Sequence, residues 1–186
     1  KIFRLAVIIA TLMGCVGMAE AQQAKKVPRI GFLSGASPAA LSARLDAFRQ
    51  GLRELGYVEG KNITIEYRYA EGKLDRLPAL AAELVRLKVD VIVTGGATNT
   101  RAAKEATNTI PIVMSQDTDP VASGFVASLA RPGGNITGLS SLTADLSGKR
   151  LELLKEILPK LSRVAVFGTS TSPSTAPSLK ETELAA

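Results

Sequence analysis

Three short segments carry the polar groups best suited to hold a small molecule: Ser34-Gly35-Ala36-Ser37, Gly95-Gly96-Ala97-Thr98 and Ser115-Gln116-Asp117-Thr118-Asp119. The first two combine glycine, which lets a ligand approach the main chain, with hydroxyls that donate and accept hydrogen bonds. Each precedes a helix-period segment. Its backbone N–H groups would therefore lie at a helix start, where the dipole favours an anion such as a carboxylate. The third segment brings acids. Asp117 can pair with a ligand ammonium group, whereas Asp119, just before Pro120, reads as a helix N-cap. The candidate ligand-binding residues are Ser34, Gly35, Ser37, Gly96, Ala97, Thr98 and Asp117. Turn and capping chemistry accounts equally well for any one of them alone, so their convergence at one sheet edge carries the argument.

Catalytic chemistry is poorly supplied. The chain has no His and a single Cys, Cys15. That rules out a His-dependent triad, an intrachain disulfide and a His/Cys zinc site. Neither the dinucleotide pattern G-x-G-x-x-G nor the phosphate loop G-x-x-x-x-G-K-[ST] occurs, and no G-x-S-x-G elbow is present. Asp117 and Asp119 do not by themselves define a metal site. The expectation is a protein without catalytic residues, metal or cofactor. The formal charge of +6 raises the question of nucleic acid. The longest basic runs, however, are Lys25-Lys26 and Lys149-Arg150, with no aromatic residues interleaved, so no nucleic-acid partner is expected.

The elements that must position these loops are legible as alternating periods. Apolar strand patterns fall at Arg29–Leu33, Asn62–Tyr67, Val89–Thr94, Ile110–Met114 and Ile136–Leu139. Between them, Leu41, Leu45, Phe48, Leu52 and Leu55 mark one helix face, with Ser37 as N-cap and Gly56 as C-terminal stop. Leu74, Leu77, Leu80, Ala81, Leu84 and Leu87 mark a second helix. Further helices are expected around Arg101–Ala106 and from Asp119 to about Ala130. This order implies a doubly wound α/β fold with a parallel sheet, right-handed crossovers and ligand at the carboxyl ends of the strands. A helix over Leu146–Leu158, a strand at Arg163–Phe167 and a helix from near Ala176 follow. Residues 27–145 are expected to form a first α/β lobe, and 146–186 a crossover helix and the start of a truncated second lobe. Tyr57, Tyr67 and Tyr69 read as packing or surface residues rather than a ligand cage.

The first 21 residues read as an export signal, to be set apart from the fold. Lys1 and Arg4 precede the apolar run Leu5–Met13, which is too short to span a bilayer as a mature helix. Ala19-Glu20-Ala21 then completes an A-x-A cleavage pattern. A second route competes: Leu12-Met13-Gly14-Cys15 resembles a lipoprotein box, which would leave Cys15 lipidated as a membrane anchor. Cleavage after Ala21 is favoured because that site is complete; either route places the mature chain outside the cytoplasm.

Longer blocks carry a family resemblance. Arg29-Ile30-Gly31-Phe32-Leu33-Ser34, then Phe48-Arg49-Gln50-Gly51-Leu52-Arg53-Glu54-Leu55-Gly56-Tyr57-Val58-Glu59-Gly60-Lys61-Asn62, resemble ABC-transporter substrate-binding proteins of the tryptophan/tyrosine type. So do Asp119-Pro120-Val121, the block Ser128-Leu129-Ala130-Arg131-Pro132-Gly133-Gly134-Asn135-Ile136-Thr137-Gly138, and Lys149–Lys155. The resemblance implies a type I periplasmic-binding-protein fold. Two hinged lobes would close on a small molecule, with aromatic amino acids among the solutes the family takes, and signal an ABC permease from the periplasm. It also implies the loops at Ser34, Gly35, Gly96, Ala97, Thr98 and Asp117 as the first-lobe half of the cleft. Gly168–Pro173 departs from the aromatic or Asn-Pro-containing loop usual in the family. Two other classes fit the architecture: a racemase- or hydrolase-like enzyme, or the ligand-sensing domain of a receptor.

Overall fold

The computed structural model describes residues 26–141, 146–168 and 175–186. The segment expected to direct export, with Cys15, and most of the departing loop at 168–173, lie outside the described residues. The five expected strands form one parallel sheet: β1 (Arg29–Ser34), β2 (Thr64–Tyr69), β3 (Val91–Thr94), β4 (Ile112–Asp117) and β5 (Ile136–Ser140). Their spatial order is β2-β1-β3-β4-β5, with every pairing parallel. The chain runs from β1 outward to β2, then back across β1 to β3. The topological switch point therefore lies between β1 and β3, where an open sheet leaves a crevice at its carboxyl edge.

Helices cover both faces. After a short 3-10 turn at Ala39–Leu41, helix α1 (Ser42–Glu54) lays Phe48 and Leu52 against Ile30, Phe32, Ile65, Tyr67, Val91 and Val93. On the opposite face, α2 (Leu77–Arg86) and α3 (Ala97–Ala106) bury Leu77, Leu80, Leu84, Ala102 and Ala103 against Leu33, Ile92, Ile112, Met114 and Ile136. Burying a Leu side chain contributes about 1.5–3 kcal/mol. This second, larger layer dominates the core.

The blocks behind the family resemblance prove to be turn chemistry. α1 ends in a Schellman motif: Gly56, at φ 84°, donates to the Arg53 carbonyl at 2.9 Å, and Tyr57 donates to the Leu52 carbonyl at 2.8 Å. Leu55, expected on the apolar face, caps this end instead and is exposed. Asn62 then clamps the loop, accepting from the Val58 amide at 2.6 Å and donating to the Gly56 carbonyl at 2.8 Å. Held there, Asn62 does not enter the sheet, and β2 starts two residues later than the alternation predicts. Asn135 ties the start of β5 to the connection between α3 and β4 by donating to the Ile110 carbonyl at 2.8 Å.

Two expected elements do not form. Residues 119–130 make turns rather than a helix. Asp119 does cap its turn, accepting from the Ala122 amide at 2.9 Å. Gly124, at φ 69°, then reverses the chain, so that the consecutive residues Phe125 and Val126 both enter the core. Residues 163–167 form no strand. A strand is stabilised by a ladder partner, and none lies beside this segment among the described residues. Helices α4 (Leu146–Ile157) and α5 (Thr175–Leu184) form as expected and pack on each other.

α2 ends in the same way as α1, but with the wrong residue. Lys88 sits at φ 52° and donates to the Val85 carbonyl at 3.0 Å. A side chain in this region costs about 1–2 kcal/mol, more than the extra chain entropy of glycine, about 0.4–1 kcal/mol. Lys88→Gly is therefore expected to stabilise the protein by about 0.5–1 kcal/mol. In thermal unfolding followed by circular dichroism, the midpoint should rise by about 1–4 °C.

Candidate ligand-binding site

At the switch point the sheet opens into a cavity of about 500 Å³, within the usual range for small-molecule sites. β1 contributes Phe32 and Ser34 to its wall, the 3-10 turn contributes Leu41, and α1 contributes Arg44 and Phe48. The loop after β3 adds Gly95 and Gly96, and the carboxyl end of β4 with the residue after it adds Ser115, Gln116, Asp117 and Thr118. One wall is aromatic: Phe32 and Phe48 have ring centroids 5.9 Å apart. Behind Phe32 stand Tyr67 and Tyr69, stacked at 6.0 Å. The Tyr67 hydroxyl accepts from Arg49 Nε at 3.1 Å and donates to Glu59 at 3.2 Å. Burial pushes its pKa up to about 12. The tyrosines buttress the cavity and keep the packing role their positions suggest.

Hydrogen bonds lock the carboxyl ends of β3 and β4 together. Gly96 donates to the Gln116 carbonyl at 2.8 Å, and Ser115 donates to the Thr94 carbonyl at 2.9 Å. Gly96 lies at φ 86°, ψ 151°, a region open only to glycine. That conformation turns the chain from β3 into α3. The buried hydroxyls of Thr94 and Thr100 bond to each other at 2.9 Å beneath it.

Asp117 is placed by a bulge. Met114 pairs with Gly138, yet Asp117 pairs with Ser140, so β4 holds one residue more than β5 over this stretch. The extra residue shifts the alternation. Asp117, at the end of this irregular stretch, is 2% exposed. Neither carboxylate oxygen has a hydrogen-bond partner of good geometry. Desolvation holds its pKa above the ordinary carboxylate value, and Asp119 adds to this; the nearby amides of Thr118 and Asp119 and the Arg101 guanidinium oppose the rise. A buried, unpaired carboxylate is costly, and such groups cluster at functional sites.

The remaining candidates lie close by but outside the cavity wall. Gly35 is buried against Leu74 and Asn99; a Cβ there would come within 2.7 Å of the Leu74 side chain. Ser37 caps the first turn before α1, accepting from the Ala40 amide at 3.4 Å. Ala97 belongs to the core layer, and Thr98 is half-buried on the first turn of α3. Phe32, Phe48 and Arg44 line the cavity without having been singled out from sequence, whereas Ser115 and Gln116 belong to the third segment but were not among its candidate residues. Phe48 was visible as part of an apolar helix face, but periodicity cannot tell a core residue from a cavity wall. Among the described residues, no cluster of three or more His, Cys, Asp or Glu could hold a metal ion, and no helix is long and apolar enough to cross a membrane.

A parallel sheet whose switch point opens into a cavity walled by hydroxyls, aromatic rings and a buried acid defines a ligand-binding α/β lobe. The chain belongs to the ABC transporter substrate binding protein family, whose model matches residues 29–186. A "Tyrosine-binding protein" of Clostridioides difficile is 35% identical over 144 residues, covering 77% of this chain and 41% of that protein. Among solved structures, a conserved domain protein from Vibrio cholerae matches with TM-score 0.77 at 32% identity, over 86% of this chain and 53% of that one. A ligand-free, open substrate binding protein with adhesive properties from Clostridium difficile matches with TM-score 0.62 at 28% identity, over 85% and 53% of the two chains. An ABC domain in complex with L-Trp from Streptococcus pneumonia shares the fold, with TM-score 0.74 at 24% identity over 85% and 52% of the chains. The chain thus spans about half the length of these proteins, or less.

Proposed function

We propose that this chain supplies the first-lobe half of the cleft in an extracytoplasmic solute-binding protein, which captures an aromatic amino acid for an ABC transporter. The observation that carries the proposal is the convergence of Ser34, Gly96 and Asp117 on one cavity with an aromatic wall, at the switch point of the sheet. In this reading residues 146–186 lead into a second lobe, and ligand bridging the two lobes shifts an open–closed equilibrium that the permease reads. Residues 1–21 direct export to the periplasm, with lipidation at Cys15 as the alternative route to the same side of the membrane. Binding without turnover agrees with a family and a relative both named for binding. The relative named for tyrosine, 35% identical to this chain, supports an aromatic solute, as do Phe32 and Phe48.

The test is thermal unfolding of the full-length protein against L-tyrosine, L-tryptophan, L-phenylalanine and non-aromatic amino acids. An aromatic solute should raise the midpoint in a concentration-dependent way; at 100 times its Kd it adds about 2.7 kcal/mol. Stabilisation by non-aromatic amino acids alone would refute the solute class, and chemical conversion of the bound compound would refute the transport role.

A further inference from the structure

Resting on that solute-binding reading, we infer that Arg44 is the specificity residue that holds the carboxylate of the amino acid, whose ring lies against Phe32 and Phe48. Three observations converge on Arg44. It lines the same cavity as the two phenylalanines and the Ser34 and Ser115 hydroxyl-bearing positions. It is the third residue of α1, in the first turn of the helix, where the backbone N–H groups carry positive partial charge and an arginine is repelled. And it is exposed, with no acidic residue in that first turn and no ion pair to any carboxylate among the described residues.

The contrast with Arg49, five positions along the same helix, is informative. Arg49 pairs with Asp46 at 3.7 Å and Glu59 at 3.2 Å, and lies over the Tyr67 ring at 5.2 Å. Its charge is satisfied within the protein, whereas that of Arg44 is not. A side chain that opposes its own helix dipole and has no partner breaks a local rule, and such breaks concentrate where function compensates them. An incoming carboxylate would meet both the planar guanidinium fork and the positive end of α1, so the two features that repel each other in the free protein act together on an anion.

The experiment is isothermal titration of the full-length protein with L-tyrosine and with tyramine, which keeps the ring and the ammonium group but lacks the carboxylate. Arg44→Gln should weaken L-tyrosine binding by about 10- to 100-fold, the range of a charge-assisted hydrogen-bond pair, and leave tyramine binding unchanged. Phe48→Ala should weaken both ligands. The far-ultraviolet circular dichroism of Arg44→Gln should match the parent and its unfolding midpoint should not fall, since the arginine has no ion pair to lose and opposes its own helix dipole. Equal affinity of parent and Arg44→Gln for L-tyrosine overturns the inference, as does an equal loss for L-tyrosine and tyramine. If tyramine binds the parent too weakly to titrate, Arg44→Lys decides: a retained charge must recover part of the L-tyrosine affinity lost in Arg44→Gln, and no recovery overturns the inference. Failure of the parent to bind any aromatic amino acid overturns the solute reading together with it, whereas tight L-tyrosine binding indifferent to Arg44→Gln overturns the role of Arg44 alone.

Discussion

Replacing Gly138 with alanine is expected to cost about 3 kcal/mol or more, the sum of overpacking and backbone strain at about 1–3 kcal/mol each. A Cβ at this position would stand 2.1 Å from the Met114 carbonyl oxygen and 2.7 Å from its amide nitrogen. These are backbone atoms of the neighbouring strand and cannot rotate away. Gly138 also lies at φ 147°, where side chains are strained even in open space. The outcome should be separation of β5 from β4, read as a fall of about 6–12 °C in the unfolding midpoint. Gly134→Ala is the control. Its Cβ would meet nothing within 4 Å, so the same methyl group should cost less than about 0.5 kcal/mol there.

The loss would not stay at the sheet edge. The Asp117 carbonyl accepts the Ser141 amide at 2.8 Å and the Ser141 hydroxyl at 3.2 Å, just beyond the end of β5. β5 therefore holds the loop that closes the cavity on one side. Gly138→Ala protein that remains folded at low temperature should bind its solute more weakly than the parent, whereas Gly134→Ala should not. An unchanged midpoint in Gly138→Ala would mean that the β4–β5 register differs from the one described.

Asp117→Asn is expected to move stability and binding in opposite directions. In the free protein the carboxyl is buried with no partner of good geometry, and desolvation raises its pKa. A raised acid pKa means that the folded state holds the proton more tightly than the unfolded state. That contribution is fully present below the unfolded value of about 3.9 and is lost as pH rises through the folded value. At neutral pH the ionised group opposes folding. Asparagine removes the charge at nearly constant shape, and the unfolding midpoint should rise by about 2–4 °C, the effect of about 1 kcal/mol. The gain should shrink as pH is lowered toward 4, where the parent regains its proton.

Solute binding should respond in the opposite sense. The carboxylate has no good hydrogen bond to give up, so turning toward the cavity breaks none, and a solute ammonium group would supply the missing partner. Losing one member of a buried charge pair costs about 3–5 kcal/mol, so Asp117→Asn should weaken an ammonium-bearing solute by at least about 100-fold. The parent's affinity should itself fall as pH drops and the carboxyl protonates. Titration calorimetry of both proteins at neutral and mildly acidic pH checks the pair of effects. A variant that is more stable and binds unchanged would leave Asp117 a structural acid with no part in recognition.

The architecture was largely legible before any coordinates, because burial periodicity is a local property. Val91-Ile92-Val93-Thr94 is β-branched throughout, and Leu77, Leu80, Ala81 and Leu84 recur at helical spacing, so each segment announces its own geometry. The elements that failed to form depended on distant partners. Asp119-Pro120 is a sound helix opening, but Gly124, at φ 69°, reverses the chain one turn later, and Phe125 and Val126 pack into a core built by distant elements. The segment at 163–167 has strand composition, but strand formation is decided by a neighbour. The blocks that signalled the family most strongly, around Gly56–Asn62 and Pro132–Gly138, are turns and a close strand contact. They record how the chain folds and carry little of what it binds.

Residue types and spacing alone determined the doubly wound sheet, the edge at which a ligand would sit, and the three loops that reach it. These follow from periods of two and 3.6 residues and from helix-start chemistry, which act within a few residues of chain. Tertiary structure alone decided which side chains share the cavity. One extra residue in β4 breaks that strand's alternation just before Asp117, so its placement does not follow from a period of two. The packing of α1 across β1 brings Phe48 and Arg44 beside Ser34. Both depend on register between strands and on how a helix lies over a sheet, and those are set by contacts between residues far apart in sequence, which no local pattern encodes.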